Sequence, residues 1–247
     1  MSFNQLKVED LENIFSKIYE NACELIEEAE ILYNHQKYAR AYLCAHISFE
    51  ELGKLPMLNS VALNIYNGIK VDWKYLNKRI RDHKRKISQS YGTVMFLNNT
   101  LRAFKGKHEN DIPNQCKETG NSIEYNYLND FKCFLENEVT IDPFEWQEYF
   151  NKLDVEKEIK QKYSMTMLLN EYKNGSLYSD FDEGKFLKPS EKIDKETCEY
   201  GITLAYMQKK FIDFPNIHKD GFILYKFTEE HNEFLKVMAE KYKQFNK

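Results

Sequence analysis

The run Tyr38-Ala39-Arg40-Ala41-Tyr42-Leu43-Cys44-Ala45-His46-Ile47-Ser48-Phe49-Glu50-Glu51-Leu52-Gly53-Lys54 constrains the fold more than any other part of this chain. At about 100° per residue, Tyr38, Ala41, Tyr42, Ala45, Phe49 and Leu52 form one apolar face of a helix. The other side mixes Leu43, Cys44 and Ile47 with Arg40, Glu50, Glu51 and Lys54. A surface helix is polar on that side. A helix with apolar residues on two sides sits inside a bundle, which predicts partial burial of Arg40, Glu50, Glu51 and Lys54. Buried charge is costly unless paired, so these groups belong to an ion network or to a functional site.

Helical periodicity extends on both sides of this run. Leu11, Ile14, Phe15, Ile18, Ala22, Leu25, Ala29 and Leu32 recur at helical steps and predict a first helix over Leu6–Tyr33. The second helix spans Lys37–Gly53, with Pro56 restarting the pattern and Asn67-Gly68 signalling a turn. A third, long helix starts near Asp72. Its stripe is Trp73, Leu76, Ile80, His83, Ile87, Val94, Leu97, Leu101 and Phe104, so His83 stands in an apolar slot.

Residues 106–121 and 174–189 read as loops, and 123–138 as a short helix. Asp142-Pro143 opens a helical region reaching Tyr172, and Asp194–Phe211 is helical. Thr228 caps a last helix, and the one strand-like stretch is Gly221–Tyr225. The expected architecture is an all-α helical bundle, with a core over residues 1–107 and additional C-terminal helices over 108–247 packed on it.

Composition narrows the function classes. The net charge is −4, but Lys70–Lys107 holds 11 Lys or Arg against 2 Asp, so a basic segment lies between acidic ones. Such a segment either meets a phosphate backbone or neutralises its acidic neighbours in the fold. No apolar run is long enough to span a membrane, and Met1–Gln5 lacks a signal pattern, so the expected location is cytoplasmic. The 5 Cys are scattered with no Cys-x-x-Cys pair, as free thiols in a reducing compartment would be.

The chain has no Gly-rich phosphate loop, no His-Glu-x-x-His, no Gly-x-Ser-x-Gly and no dinucleotide fingerprint. His46 and Glu50 are one turn apart, but no Glu-x-x-His backs them, so no metal and no cofactor is expected. Three groups compete as a site: Arg40, His46, Glu50, Glu51 and Lys54; His83 with Arg79 and Lys86; and Arg102 with His108. In each, a histidine is set near cations. The bland readings are an ion network fixing helix register, a core histidine bonded to Glu50 or Glu51, and a solvated loop histidine.

The run Ala39–Lys54, above all Glu50-Glu51-Leu52-Gly53-Lys54, followed by His83-Lys84-Arg85-Lys86, resembles the AbiV family of abortive-infection proteins. That family's core is similar to HEPN domains, which are small α-helical bundles. The resemblance covers roughly Leu6–Phe104. It implies bacterial antiviral defence, with shutdown of host functions such as translation when a phage infects.

Many HEPN domains are metal-independent ribonucleases whose motif places a His four to six residues after an Arg. Arg40 to His46 and Arg102 to His108 have matching spacing, with Ala rather than a polar residue after each Arg. The resemblance implies His46 or His83 as base, with Arg40, Lys54, Arg79, Lys86, Arg102 and His108 near RNA phosphate. Glu50 and Glu51 would orient the cations. It also implies a homodimer, for which the aromatic-rich first and third helices offer a face. The trigger would be a phage-encoded protein, and the target RNA or the translation machinery. The alternative is a non-catalytic helical protein that binds such a partner, and a weaker one is a nucleotide-binding bundle.

Overall fold

The computed structural model describes residues 5–108, 155–182, 184–213, 217–230, 232–233 and 236, with the side chains of 96–108, 155, 156, 158, 182, 217 and 218 outside that description. Helices α1 (Val8–Asn34), α2 (Tyr38–Leu52), α3 (Leu55–Tyr66), α4 (Trp73–Arg81) and α5 (His83–His108) come first. The later part holds α6 (Val155–Leu177), strands β1 (Asp180–Asp182) and β2 (Lys185–Leu187), and helices α7 (Pro189–Lys192), α8 (Lys195–Asp213) and α9 (Ile217–Asp220). The strands pair antiparallel, Phe181 opposite Phe186, in a small hairpin. The expected all-α bundle is thus present, with this hairpin added. The short helix expected over 123–138 lies outside the described residues, as do Cys116 and Cys133. Cys23, Cys44 and Cys198 are free thiols. Among the described residues no helix is long and apolar enough to cross a membrane.

Helix α2 touches α1, α3, α5, α6, α7 and α8. Its Ala41, Tyr42, Ala45, Phe49 and Leu52 are fully buried, as the helical spacing predicts. Each such large side chain contributes about 1.5–3 kcal/mol by leaving water. Three apolar clusters surround this helix, and all three draw on the later part of the chain. Ile212 and Phe222 join Leu11, Phe15 and Leu52. Leu169, Leu204 and Met207 join Ile26, Phe49 and Ile87. Ile193 and Cys198 join Ala41 and Tyr42. Phe15 and Tyr19 are therefore buried inside the chain.

Three expectations change, the first being residues 174–189, read as a loop, which hold the end of α6 and both hairpin strands. The long third helix is broken at Asp82, which has extended backbone. Asp82 then caps α5, its side chain accepting from the Arg85 N–H at 3.2 Å. The apolar stripe keeps its step across the break, so periodicity alone conceals it. Gly221–Tyr225 is no strand. Its Phe222 packs edge-on against Phe15, and its backbone N–H donates to Glu12 at 2.9 Å.

Two glycines allow close approach. A Cβ on Gly201 would meet the Tyr42 ring at 2.6 Å, so this mid-helix glycine of α8 makes room for the buried tyrosine. A Cβ on Gly53 would lie 2.5 Å from both the Lys86 carbonyl oxygen and Ser90 Oγ. Ser90 Oγ also donates to the Phe49 carbonyl at 2.6 Å, clamping α5 onto the end of α2. Gly53→Ala is expected to cost about 1–3 kcal/mol through this overlap. A urea unfolding midpoint equal to or above that of the unaltered protein would contradict the close approach.

Candidate functional site

The clamp at Gly53 brings the first turn of α5 against the last turn of α2. On α2, His46 and Glu50 are one turn apart and share a face. On α5, the cap at Asp82 sets where the helix starts, and His83 and Lys86 then face the same way at a three-residue step. The two faces meet at the Glu50 carboxylate, which is only 3% exposed. His83 Nδ1 lies 2.6 Å from Glu50 Oε2, and Lys86 Nζ lies 2.7 Å from the same oxygen. On the other oxygen, Oε1, His46 Nε2 stands at 3.4 Å and Lys173 Nζ of α6 at 3.5 Å. Neither His46 Nε2 nor Oε1 has an aligned hydrogen bond.

Burial alone pushes the Glu50 carboxyl upward, but His46, Lys86 and His83 outweigh it and hold the group well below the usual carboxylate range. Glu50 is an anion at neutral pH. Burial also dominates at His46, pushing the imidazole down despite the neighbouring carboxylate. His46 is therefore neutral at pH 7. The Tyr42 hydroxyl stands 3.4 Å from its Nδ1 and is kept protonated by burial. One tautomer serves both neighbours, with Tyr42 donating to Nδ1 and the Nε2 proton facing Glu50. Two ammonium groups on the carboxylate oxygens would repel a divalent cation there, and no set of three or more metal-ligating residues gathers among the described residues.

The two histidines differ in access. His46 is almost fully buried, whereas the His83 side chain is 60% exposed. The core position expected for His83 is thus corrected: the break at Asp82 turns it outward while Nδ1 stays on Glu50. Beside this cluster, Lys54 is ion-paired with Glu51, and both are partly buried.

Arg40 departs from expectation. It is exposed and lines a separate groove with Lys37 and Lys188. Six residues advance a helix by about 9 Å and turn it to a different face, so the Arg40–His46 spacing does not converge. Arg79 lies apart as well, donating to Gln89 at 3.4 Å and resting over the Tyr75 ring. Arg102 and His108 fall in the last turns of α5, where the side chains lie outside the described residues. Lys173 was not anticipated. It lies on α6, far along the chain from the block it completes, and no spacing signal links the two.

These pieces give pH-dependent stability a definite sign. His46 sits below its ordinary value of 6.5 when folded, so under that pH the unfolded chain takes up a proton that the native chain refuses. Its contribution is full above that value and falls as pH drops. Glu50 adds a second loss in the same direction once pH passes below its ordinary 4.5. Urea unfolding is expected to show stability declining between pH 6.5 and 5, by at most about 1.4 kcal/mol per pH unit for one proton. His46→Gln is expected to flatten that limb, and an unchanged slope would contradict a neutral buried His46.

A helical bundle whose second and fifth helices share a buried carboxylate with histidines and lysines defines a class: an all-α protein with a preformed ionisable site. The chain belongs to the AbiV family, whose HEPN-type family model, described as AbiV, matches residues 10–208. It is thus an abortive-infection protein of HEPN type. The match runs well past Phe104, through α6 and most of α8. No curated protein and no solved structure matches the chain.

Proposed function

We propose that this protein is an anti-phage effector that stops translation in an infected bacterium by cutting RNA without a metal ion, acting as a homodimer in the cytoplasm. One observation carries the reading: a single buried carboxylate oxygen holds His83 Nδ1 and Lys86 Nζ side by side, with His83 open to solvent. A carboxylate on Nδ1 fixes the ring and supports an imidazolium, leaving Nε2 outward as a general base.

In the proposed reaction the ribose 2′-hydroxyl gives its proton to His83 Nε2 and its oxygen attacks the adjacent phosphorus. The bond to the 5′-oxygen breaks, that oxygen takes a proton from water, and the hydroxide so formed takes the proton back from His83. The products are a 2′,3′-cyclic phosphate and a free 5′-hydroxyl. Lys86 and Lys54 supply positive charge near the phosphate, and Glu50 and Glu51 orient them. His46 supports the carboxylate from within and touches no substrate. Arg40, Lys37 and Lys188 offer a second basic groove for the RNA backbone.

The non-catalytic alternative draws on the burial of His46 and Lys86, which suits a network that fixes helix register. The test is cleavage of labelled RNA by the purified protein in EDTA, with and without lysate of phage-infected cells. Cyclic phosphate ends are expected. Absence of cleavage in both conditions, with phage protection retained by His83→Ala, would favour the non-catalytic reading.

A further inference from the structure

Lys162 of α6 carries an amine without a counter-charge. It is half-buried, and among the described residues no carboxylate pairs with it. Lys54, Lys86, Lys173 and Lys209 are also shielded from water, and each of those holds a carboxylate. The charge that acts on Lys162 is instead a second cation, the Arg79 guanidinium. Arg79 is half-buried too and donates to Gln89 at 3.4 Å, again with no carboxylate partner among the described residues.

Local geometry brings these groups together on α5. Gln89 and Gly92 lie three residues apart and share a face of that helix. A Cβ at Gly92 would fall 2.8 Å from Lys162 Nζ and 3.0 Å from its Cε. The absent side chain is therefore the notch in which the amine lies. Arg79 reaches Gln89 from α4, and Lys162 reaches Gly92 from α6, so two cations approach neighbouring turns of one helix.

Two like charges shielded from water are a costly arrangement. Burial first, and then the Arg79 charge, push the Lys162 amine down from its ordinary value of 10.5. More of it is neutral, and so nucleophilic, than of a lysine in open water. The notch is one negative charge short, and a neutral amine is able to supply that charge by reacting with carbon dioxide.

The geometry points to Lys162 as a site of reversible carbamylation by carbon dioxide, with the Arg79 guanidinium holding the product. The lone pair on Nζ attacks the carbon, one carbon–oxygen π bond opens to leave an oxyanion, and the nitrogen gives a proton to water. An amine and carbon dioxide thus become a carbamate and one proton, with no change of oxidation state. The repelling pair turns into an ion pair, and the planar guanidinium gains a planar acceptor of the kind it binds through two hydrogen bonds. Carbon dioxide is small and uncharged, which suits entry into a half-buried notch. The inference stands apart from the ribonuclease reading, since the carbamate needs no RNA.

The experiment records carbon-13 NMR spectra of the full chain with labelled bicarbonate in mildly alkaline buffer. Thermal midpoints are measured beside them, in bicarbonate and in carbon-dioxide-free buffer of equal ionic strength. A carbamate resonance is expected in the unaltered protein and is lost in Lys162→Met, while any α-amine carbamate stays in both spectra and cancels. Bicarbonate is expected to raise the midpoint by about 2–4 °C in the unaltered protein and to leave that of Lys162→Met unmoved. Arg79→Gln is expected to lower the affinity for carbon dioxide about tenfold, the effect of losing a hydrogen bond to a charged group. Lys162→Met removes one of two repelling cations and is expected to fold. Lys162→Arg is a second control that keeps the charge and is expected to give no such resonance.

Identical spectra for the unaltered protein and Lys162→Met would overturn the inference. So would a midpoint raised alike by bicarbonate and inorganic phosphate with no Lys162-dependent resonance, which would show an ordinary anion site. Unchanged affinity in Arg79→Gln would overturn the role of Arg79.

Discussion

Glu50→Ala is expected to destabilise the protein by about 3–5 kcal/mol, because it leaves Lys86 and His46 buried, and Lys173 half-buried, around a missing anion. That is a large share of the roughly 5–15 kcal/mol that holds a domain folded. The urea midpoint is expected to fall by more than 1 M, taking a slope of about 2–3 kcal/mol per M. A shift under about 0.3 M would mean that the lysines reach water easily and that the carboxylate is not what holds them. A second variant separates charge from shape. Glu50→Leu combined with Lys86→Met removes a buried pair together, and such replacements are often neutral or better. It is expected to recover much of the loss while abolishing any RNA cleavage, which would divide the structural use of the network from its chemical use.

The second large effect concerns His83. On the proposed mechanism His83→Ala removes the general base and is expected to lower kcat by about 10²–10⁴. The stability change is expected to stay small, since most of this side chain is already in water. RNA binding measured in the same variant is expected to remain near its original level. Cleavage within a few-fold of the original would refute His83 as base. His46→Gln makes the contrast, because a buried ring that never meets the ribose acts on pH stability first and on rate only through the tilt of Glu50.

Much of the fold was legible because helices announce themselves by spacing. The steps along α1 and α2 predicted the faces that are buried, and Asp72 and Asn67-Gly68 marked the ends around α4 correctly. Asp82 was harder. An aspartate is tolerated inside a helix and also favoured just before one, and the apolar stripe keeps its step across it. Only the fact that Arg79, Arg81 and Lys78 crowd the preceding turn, where cations suit a helix end, hinted at a stop. The hairpin over Asp180–Leu187 leaves only a weak periodic signal because its strands are three residues long. Its signal was present, since two phenylalanines flank Gly184, which takes a left-handed φ of 81°.

The site was half legible. Charges beside an apolar helix face announced the burial of Glu50, and its one-turn spacing announced His46. Helical spacing alone groups Arg40 with Glu50 on one side of α2. The buried arc is wider than one stripe and takes in Ala39, His46 and Glu50, leaving Arg40 on the solvent stripe with Ile47. Lys173 had no local signal, because a lysine on a polar helix looks the same whether it meets water or a carboxylate from a distant segment.

The shared carboxylate also limits how such a chain drifts over generations. A lineage that loses Glu50 alone leaves two lysines facing each other without an anion, and one that loses Lys86 leaves the buried carboxylate only the longer contact to Lys173 among its lysines. Neutral change has no easy single step through either intermediate. Glu50, Lys86 and Lys173 are bound to a common fate, kept together or exchanged together, although the last of them sits far along the chain from the others.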